Sequence, residues 1–187
     1  MKENVFVSPA DSKLLVYKID DETKMFIKGR DYTVAEVLDD ETAAQKYKGG
    51  YALVFRLSVD DYHRYGFPDS GKVVSHKKIK GKLHTVSSIS KDHKIYKENC
   101  REVSILETDN FGMVAYVEVG ALLVGKIINH DVSVFEKGQE KGYFEPGGST
   151  VIIFVGGIEI DEDILKQSAE GVETKIKYGE RVGVLRC

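Results

Sequence analysis

Residues 138–154 read GQEKGYFEPGGSTVIIF. The last four of these residues are β-branched or aromatic, which predicts a buried strand at positions 151–154. Two glycines, Gly147 and Gly148, stand just before it, and glycine adopts backbone angles that other residues resist. Ser149 therefore lies where a flexible turn enters a rigid strand, and the rest of the chain is organised around this junction.

The junction has a chemical use as well as a common structural one. The Ser149 hydroxyl can attack the carbonyl group of Gly148, its upstream neighbour, and this attack turns the amide into an ester. Elimination then breaks the chain and leaves the serine as a pyruvoyl group, a ketone that condenses with amines and withdraws electrons. A glycine turn before a core strand accounts for the same residues without any chemistry, and such turns are common.

Composition limits the classes of protein to which the chain can belong. Its 187 residues and 42% hydrophobic content suit one domain spanning residues 1–187. The net charge of −3 shows no basic surplus, which argues against nucleic acid as a partner. Cys100 and Cys187 form neither a disulfide framework nor a metal motif, so no metal is expected. Without an apolar signal core or membrane-length run, the sequence predicts a cytoplasmic protein.

Short apolar runs separated by glycine turns predict a mainly β chain. Tyr51–Leu57 is a strand candidate, and Glu102–Thr108 alternates polar and apolar residues as a half-buried strand should. The turn Asp109–Gly112 then joins the second run to a partner strand at 113–119. Helices are few and short, and the first begins at Thr33, where Glu36 completes a capping box. We therefore expect an antiparallel β-sandwich or barrel-like single domain with a few short helices.

Several motifs in the same order resemble those of one enzyme family. Ser8-Pro9-Ala10-Asp11 and Asp61-Tyr62-His63-Arg64 come first, the block VGALLVGKI follows at 119–127, and the Gly148-Ser149 junction comes last. Together they resemble the phosphatidylserine decarboxylases, which cleave themselves at a Gly-Ser bond and depend on a pyruvoyl group. The resemblance spans nearly the whole chain, from about Val5 to about Val184.

The resemblance implies roles for individual residues. Ser149 is the pyruvoyl precursor, and cleavage after Gly148 would give a larger fragment of residues 1–148 and a smaller one of 149–187. Asp11 is expected to orient or polarise a histidine. His63 is expected to donate a proton or position the substrate in decarboxylation, which suits an imidazole because its pKa lies near physiological pH.

Two departures separate this sequence from the family pattern. The family usually continues Asp-Tyr-His-Arg-x-His, and its second histidine is the base for the serine attack, but Gly66 stands in that place here. His84 and His130 are the candidate substitutes, with Lys126 as a further one, and our hypothesis is that one of the two histidines approaches Ser149. The chain also starts just before the Pro-Ala-Asp motif, so we expect a short, divergent member without the upstream segment.

The implied reaction is decarboxylation of phosphatidylserine, or of a related serine-headgroup compound, to phosphatidylethanolamine and CO₂. No metal or diffusible cofactor is needed. The resemblance makes a homodimer plausible, and four lysines suggest peripheral contact with anionic lipid, although they also suit an edge strand blocked against aggregation: Lys77, Lys78, Lys80 and Lys82. The alternative is an unprocessed, non-catalytic relative that binds a lipid headgroup or a partner protein.

Overall fold

The computed structural model describes residues 4–27, 30–79, 100–120, 126–145 and 149–186. In these ranges the chain forms short strands and three short helices. The helices are α1 (Val34–Leu38), α2 (Glu41–Gln45) and α3 (Glu162–Ala169). The strands are β1 (Val5–Val7), β2 (Ser12–Lys18), β3 (Met25–Ile27), β4 (Arg30–Tyr32), β5 (Tyr51–Leu57), β6 (Arg64–Gly66), β7 (Gly71–Ile79), β8 (Arg101–Thr108), β9 (Gly112–Val119), β10 (Ile127–Asn129), β11 (Val134–Phe135), β12 (Glu140–Phe144), β13 (Ser149–Val155), β14 (Ile158–Ile160), β15 (Thr174–Ile176) and β16 (Arg181–Leu185).

Eight antiparallel strands form the central sheet, in the order β11-β7-β8-β9-β13-β5-β2-β15. The apolar strand β13 lies near its middle, between β5 and β9. In this register Ser149 lies opposite Leu57 and Thr150 opposite Val119. Every residue of β13 is buried, as expected of a strand covered on both faces.

The two faces of β13 belong to two hydrophobic clusters. Val151 and Ile153 pack in a cluster that also contains residues of two smaller sheets, β10-β12-β6 and β1-β16-β14. Ile152 and Phe154 point the other way and pack in the cluster that contains the buried residues of α1 and α2. Because the smaller sheet β10-β12-β6 covers the first face, residues of β6 and β12 lie near the side chains on that face of β13.

The predicted fold class is confirmed, with two local corrections. The Thr33–Glu36 capping box is present at the start of α1. The expected half-buried strand at 102–108 is wrong in its burial, since Glu102 and Ser104 are only 3% and 1% exposed. The smaller sheet β10-β12-β6 lies on that side of β8. Glu102 is paired with Lys78 and His76 of the neighbouring strand β7. The sequence at 28–32, which contains Gly29, also predicts a turn, but its last three residues form the short strand β4.

The central sheet is open in the described part of the chain. Its edge strands β11 and β15 pair only with β7 and β2, so an open sandwich and not a closed barrel describes these residues. The basic strand β7 pairs along its length with β8 and, at Gly71 and Lys72 only, with β11. None of the described helices has both the length and the apolar character that a bilayer crossing requires.

Candidate active site

Ser149 is the first residue of β13 and has no exposed surface. It lies on the same face of the strand as Val151, because side chains alternate along a strand, and its direct partner Leu57 belongs to the same cluster. Gly148, the other half of the expected cleavage site, lies outside the described residues. The sequence places a turn before this strand, and the structure buries the serine at the point where the strand starts.

Ser149 Oγ is one of a few buried polar atoms without a hydrogen-bond partner in the described part of the chain. Among the described residues, four buried side-chain atoms have no hydrogen-bond partner: His63 Nε2, Glu118 Oε2, Ser149 Oγ and Thr150 Oγ1. Buried polar groups are normally satisfied, because leaving one without a partner costs roughly 1–3 kcal/mol. Such atoms are retained mainly where a protein uses them, and Ser149 with its neighbour Thr150 contributes two of the four.

Two short chain segments connect His63 with the residues around Ser149. His63 comes six residues after Leu57, the residue opposite Ser149, and its carbonyl oxygen accepts a hydrogen bond of 2.9 Å from the backbone N–H of Phe144. Phe144 in turn precedes Ser149 by five residues. The imidazole Nδ1 lies 2.7 Å from the carbonyl oxygen of Asp61. Since a carbonyl oxygen can only accept, Nδ1 carries the proton, and neutral His63 presents a bare Nε2 to the interior.

Asp11 is anchored by partners other than a histidine. Its Oδ2 accepts a hydrogen bond of 2.6 Å from Lys177 Nζ, and its Oδ1 one of 2.8 Å from the backbone N–H of Tyr178. Burial opposes ionisation, but these bonds outweigh it and hold the pKa of Asp11 below its usual range. His63 Nδ1 has the Asp61 carbonyl as its partner instead. The described contacts of Asp11 therefore position the segment at 177–178.

Tyr178 occupies the space beside Gly66, the position at which the family usually has its second histidine. A Cβ added at Gly66 would overlap the Tyr178 hydroxyl oxygen and lie only 2.7 Å from the Gln139 carbonyl oxygen. The Tyr178 hydroxyl donates to the Gly138 carbonyl oxygen at 3.2 Å, and burial raises the pKa of this tyrosine to about 12. The packing around position 66 thus leaves no room for a histidine side chain.

The proposed substitute bases are placed differently. The backbone N–H of His130 donates to the Lys141 carbonyl oxygen, three residues before Phe144 on β12. At about 3.4 Å per residue, His130 is displaced about 10 Å along the strand from the end that leads to Ser149. Its Nε2 instead pairs with Glu140 at 2.7 Å. His84, the other histidine expected as a base, lies outside the described residues. Lys126 is exposed, and its carbonyl oxygen accepts a hydrogen bond from the Glu145 N–H.

Sequence reasoning missed a buried charged pair on the Ser149 face. Glu118 of β9 and Lys141 of β12 form an ion pair, and their side chains are 0% and 5% exposed. The Lys141 ammonium also donates to Asn129 Oδ1 at 2.9 Å and lies over the Tyr116 ring. A single acid between Val117 and Val119, in an otherwise apolar strand, was the signal available in the sequence.

Comparison with known proteins gives a consistent family. The profile described as Phosphatidylserine decarboxylase matches residues 1–184. "Phosphatidylserine decarboxylase proenzyme 2" of Clostridium acetobutylicum is 58% identical over 180 residues, which are 95% of this chain and 62% of that protein.

Two further relatives are more distant. "Phosphatidylserine decarboxylase proenzyme" of Clostridium tetani is 43% identical over 195 residues, covering 99% of this chain and 65% of that protein. The protein of the same name from Ruminiclostridium cellulolyticum is 43% identical over 188 residues, covering 97% and 63%. The chain thus spans somewhat less than two thirds of the length of the curated relatives it matches.

Proposed function

The chain belongs to the phosphatidylserine decarboxylase family, and we propose that it is the precursor of a decarboxylase whose pyruvoyl group is made from its own Ser149. In this proposal residues 1–187 form one catalytic domain, cut between Gly148 and Ser149 into fragments 1–148 and 149–187. The observation that carries the proposal is Ser149 Oγ, which is buried without a hydrogen-bond partner among the described residues. A hydroxyl bound to another group would be less available for attack on its own backbone.

The residues around Ser149 fit a pyruvoyl group at that position. Once formed, the group supplies a ketone that captures an amine covalently and draws electrons from it. Full burial of Ser149 keeps bulk water from the reacting atoms, which strengthens every electrostatic interaction there. His63 Nε2 lies in the interior without a hydrogen-bond partner, while Nδ1 is bound to the Asp61 carbonyl oxygen. When the imidazole is protonated, Nε2 can deliver its proton to the carbon that loses CO₂.

The substrate we propose is phosphatidylserine or a related compound with a serine headgroup, because the relatives carry that name. We place the protein in the cytoplasm with peripheral contact at a membrane, which a lipid substrate requires. Lys78 is already paired with Glu102 at 2.8 Å, and Lys77 lies 3.4 Å from the Asp39 carbonyl oxygen. Lys72, the third lysine of β7, pairs with Glu107 at 3.0 Å, so each of the three lysines on this strand already has a partner within the chain.

Intact mass measured over time after purification tests the proposal. We expect wild-type protein to convert into two fragments that meet at Gly148 and Ser149, with a carbonyl on the smaller one that borohydride or hydrazine traps. Ser149→Ala should remain one chain. Vesicles containing phosphatidylserine should then yield CO₂ with the cleaved protein only. A wild-type chain that stays whole and inert would overturn the proposal and favour an unprocessed relative that binds lipid headgroups or a partner protein.

A further inference from the structure

The unpartnered oxygen of Glu118 has no use in the function proposed so far. Glu118 has no exposed surface, its Oε1 is bound by the Lys141 ammonium, and its Oε2 has no partner among the described residues. A buried carboxylate that serves only to neutralise a lysine gains from having both oxygens satisfied. The half-satisfied state leaves Oε2 available to accept a hydrogen bond or a proton.

The strand register places this carboxylate beside Ser149. Glu118 lies directly opposite Val151 in the β9–β13 pair, so the two side chains share a face of the sheet. Ser149 precedes Val151 by two residues and therefore projects from that same face, diagonally across from Glu118. Diagonal neighbours lie about 7–8 Å apart at the backbone, within reach of a long side chain. Because neither Ser149 Oγ nor Glu118 Oε2 has a hydrogen-bond partner, the two atoms are not in direct contact, and one water or a rotation of the side chains would link them.

A hydrogen-bonded network holds the pair in place. Asn129 accepts from Lys141 at 2.9 Å and donates from Nδ2 to Glu102 Oε2 at 2.8 Å. The Tyr65 hydroxyl also donates to Asn129 Oδ1, at 3.2 Å. Because Lys141 is fixed by two acceptors, it fixes Glu118 in turn, and Oε2 keeps a constant direction. Preorganisation of this kind is what proton transfer in a buried site requires.

Resting on the proposed function, we propose that Glu118 is the base of the self-cleavage, accepting the hydroxyl proton of Ser149. As the proton moves to Glu118 Oε2, Ser149 Oγ forms a bond to the carbonyl carbon of Gly148. The bond from that carbon to the Ser149 nitrogen then breaks, and the nitrogen takes the proton back from Glu118. The products of this step are an ester and a free amine, with no net change in protons or electrons. Elimination then releases the Gly148 carboxylate and leaves dehydroalanine at position 149, and water hydrolyses this group to pyruvoyl with loss of ammonia.

The surroundings of Glu118 suit this role. Burial raises the pKa of the Glu118 carboxyl above its ordinary value, although the adjacent Lys141 ammonium acts in the opposite direction. A raised pKa makes the carboxylate a stronger base at neutral pH. The ionisable groups that face it from the packed elements are Lys141 of β12, Glu102 of β8, Tyr65 of β6 and Tyr116 of its own strand. Tyr178 fills the place where the expected second histidine would have stood.

Refolding the full chain from denaturant starts the cleavage at a defined time, and intact mass then follows its rate across pH. We expect Glu118→Gln, which keeps the shape and removes the basic oxygen, to slow cleavage by about 10²- to 10⁴-fold. Glu140→Gln is the matched control, since it removes a carboxylate of β12 that pairs with Arg64 and His130, and it should cleave at the wild-type rate. Near-UV circular dichroism scores the folded fraction for each variant.

A second variant separates basicity from packing. Lys141→Met removes the cation that lowers the pKa of Glu118. The midpoint of the curve of cleavage rate against pH should therefore move to higher pH. A lysine that only supports the fold would leave this midpoint where it was. Wild-type cleavage together with an unslowed Glu118→Gln, or with an unmoved midpoint in Lys141→Met, overturns this inference and leaves the proposed function standing. A wild-type chain that never splits overturns the proposed function itself.

Discussion

The backbone of Gly66 lies so close to Tyr178 and Gln139 that a side chain between them would overlap both. We predict that Gly66→Ala lowers the free energy of unfolding by about 1–3 kcal/mol, the usual cost of overpacking a filled site. Urea denaturation in the uncleaved Ser149→Ala background measures it. Gly156→Ala is the control, because a Cβ at Gly156 meets nothing within 4 Å. Equal stability of the two variants would show that Tyr178 moves aside easily and that the site admits a histidine.

His63 and His130 lie at opposite ends of β12 and should behave differently. We predict that His63→Gln still cleaves but decarboxylates about 10²- to 10⁴-fold more slowly, because a bare imidazole nitrogen in the interior is lost. His130→Gln, which removes the imidazole contacts with Glu140 and the Tyr143 ring, should leave both steps unchanged. Fragment formation by mass and CO₂ release from phosphatidylserine vesicles separate the two steps. Slowed cleavage in His130→Gln would restore it as a candidate base.

Among the elements, helix α1 is too short to be stable by itself, and its stability depends on its N-cap. It has five residues, and isolated helices this short do not form in water. Thr33 Oγ1 accepts from the Glu36 N–H at 3.1 Å, and Glu36 returns a bond to the Thr33 N–H at 3.2 Å. We predict that Thr33→Ala costs about 1 kcal/mol of stability in the Ser149→Ala background. Thr42→Ala, an exposed change in α2, should cost less than half as much, and thermal unfolding compares them.

Most elements could be predicted because local signals and burial agree there. The run at 151–154 became β13, and the Thr33–Glu36 pattern became the cap of α1. The burial of Glu102 could not be predicted from its alternating strand, because the covering sheet forms by pairing across long sequence separations. The residues of the candidate site also fall into a predictable group and an unpredictable one. Ser149 and His63 follow from motifs, whereas the position of Glu118 relative to Ser149 follows only from the strand register.

At the scale of the whole molecule, the two expected fragments are interleaved. Residues 149–187 contribute β13 to the middle of the central sheet, β15 to its edge beside β2, and β16 to the pair with β1. We therefore predict that cleavage leaves the native mass unchanged, and that the fragments separate only in denaturant. Size-exclusion chromatography with light scattering, run before and after cleavage, measures this. Release of the smaller fragment under native conditions would contradict the sheet order.

Under the proposed function, the position of Ser149 at the start of a central strand would make cleavage depend on folding. Its neighbours on that face come from strands far away in sequence, and they meet only after the long-range ladders have formed. A misfolded or truncated copy would thus not form the reactive ketone. If the chain cleaves itself as proposed, the cut would serve as a check on folding, because only a correctly folded molecule would become active, and an uncleaved precursor would report a folding failure.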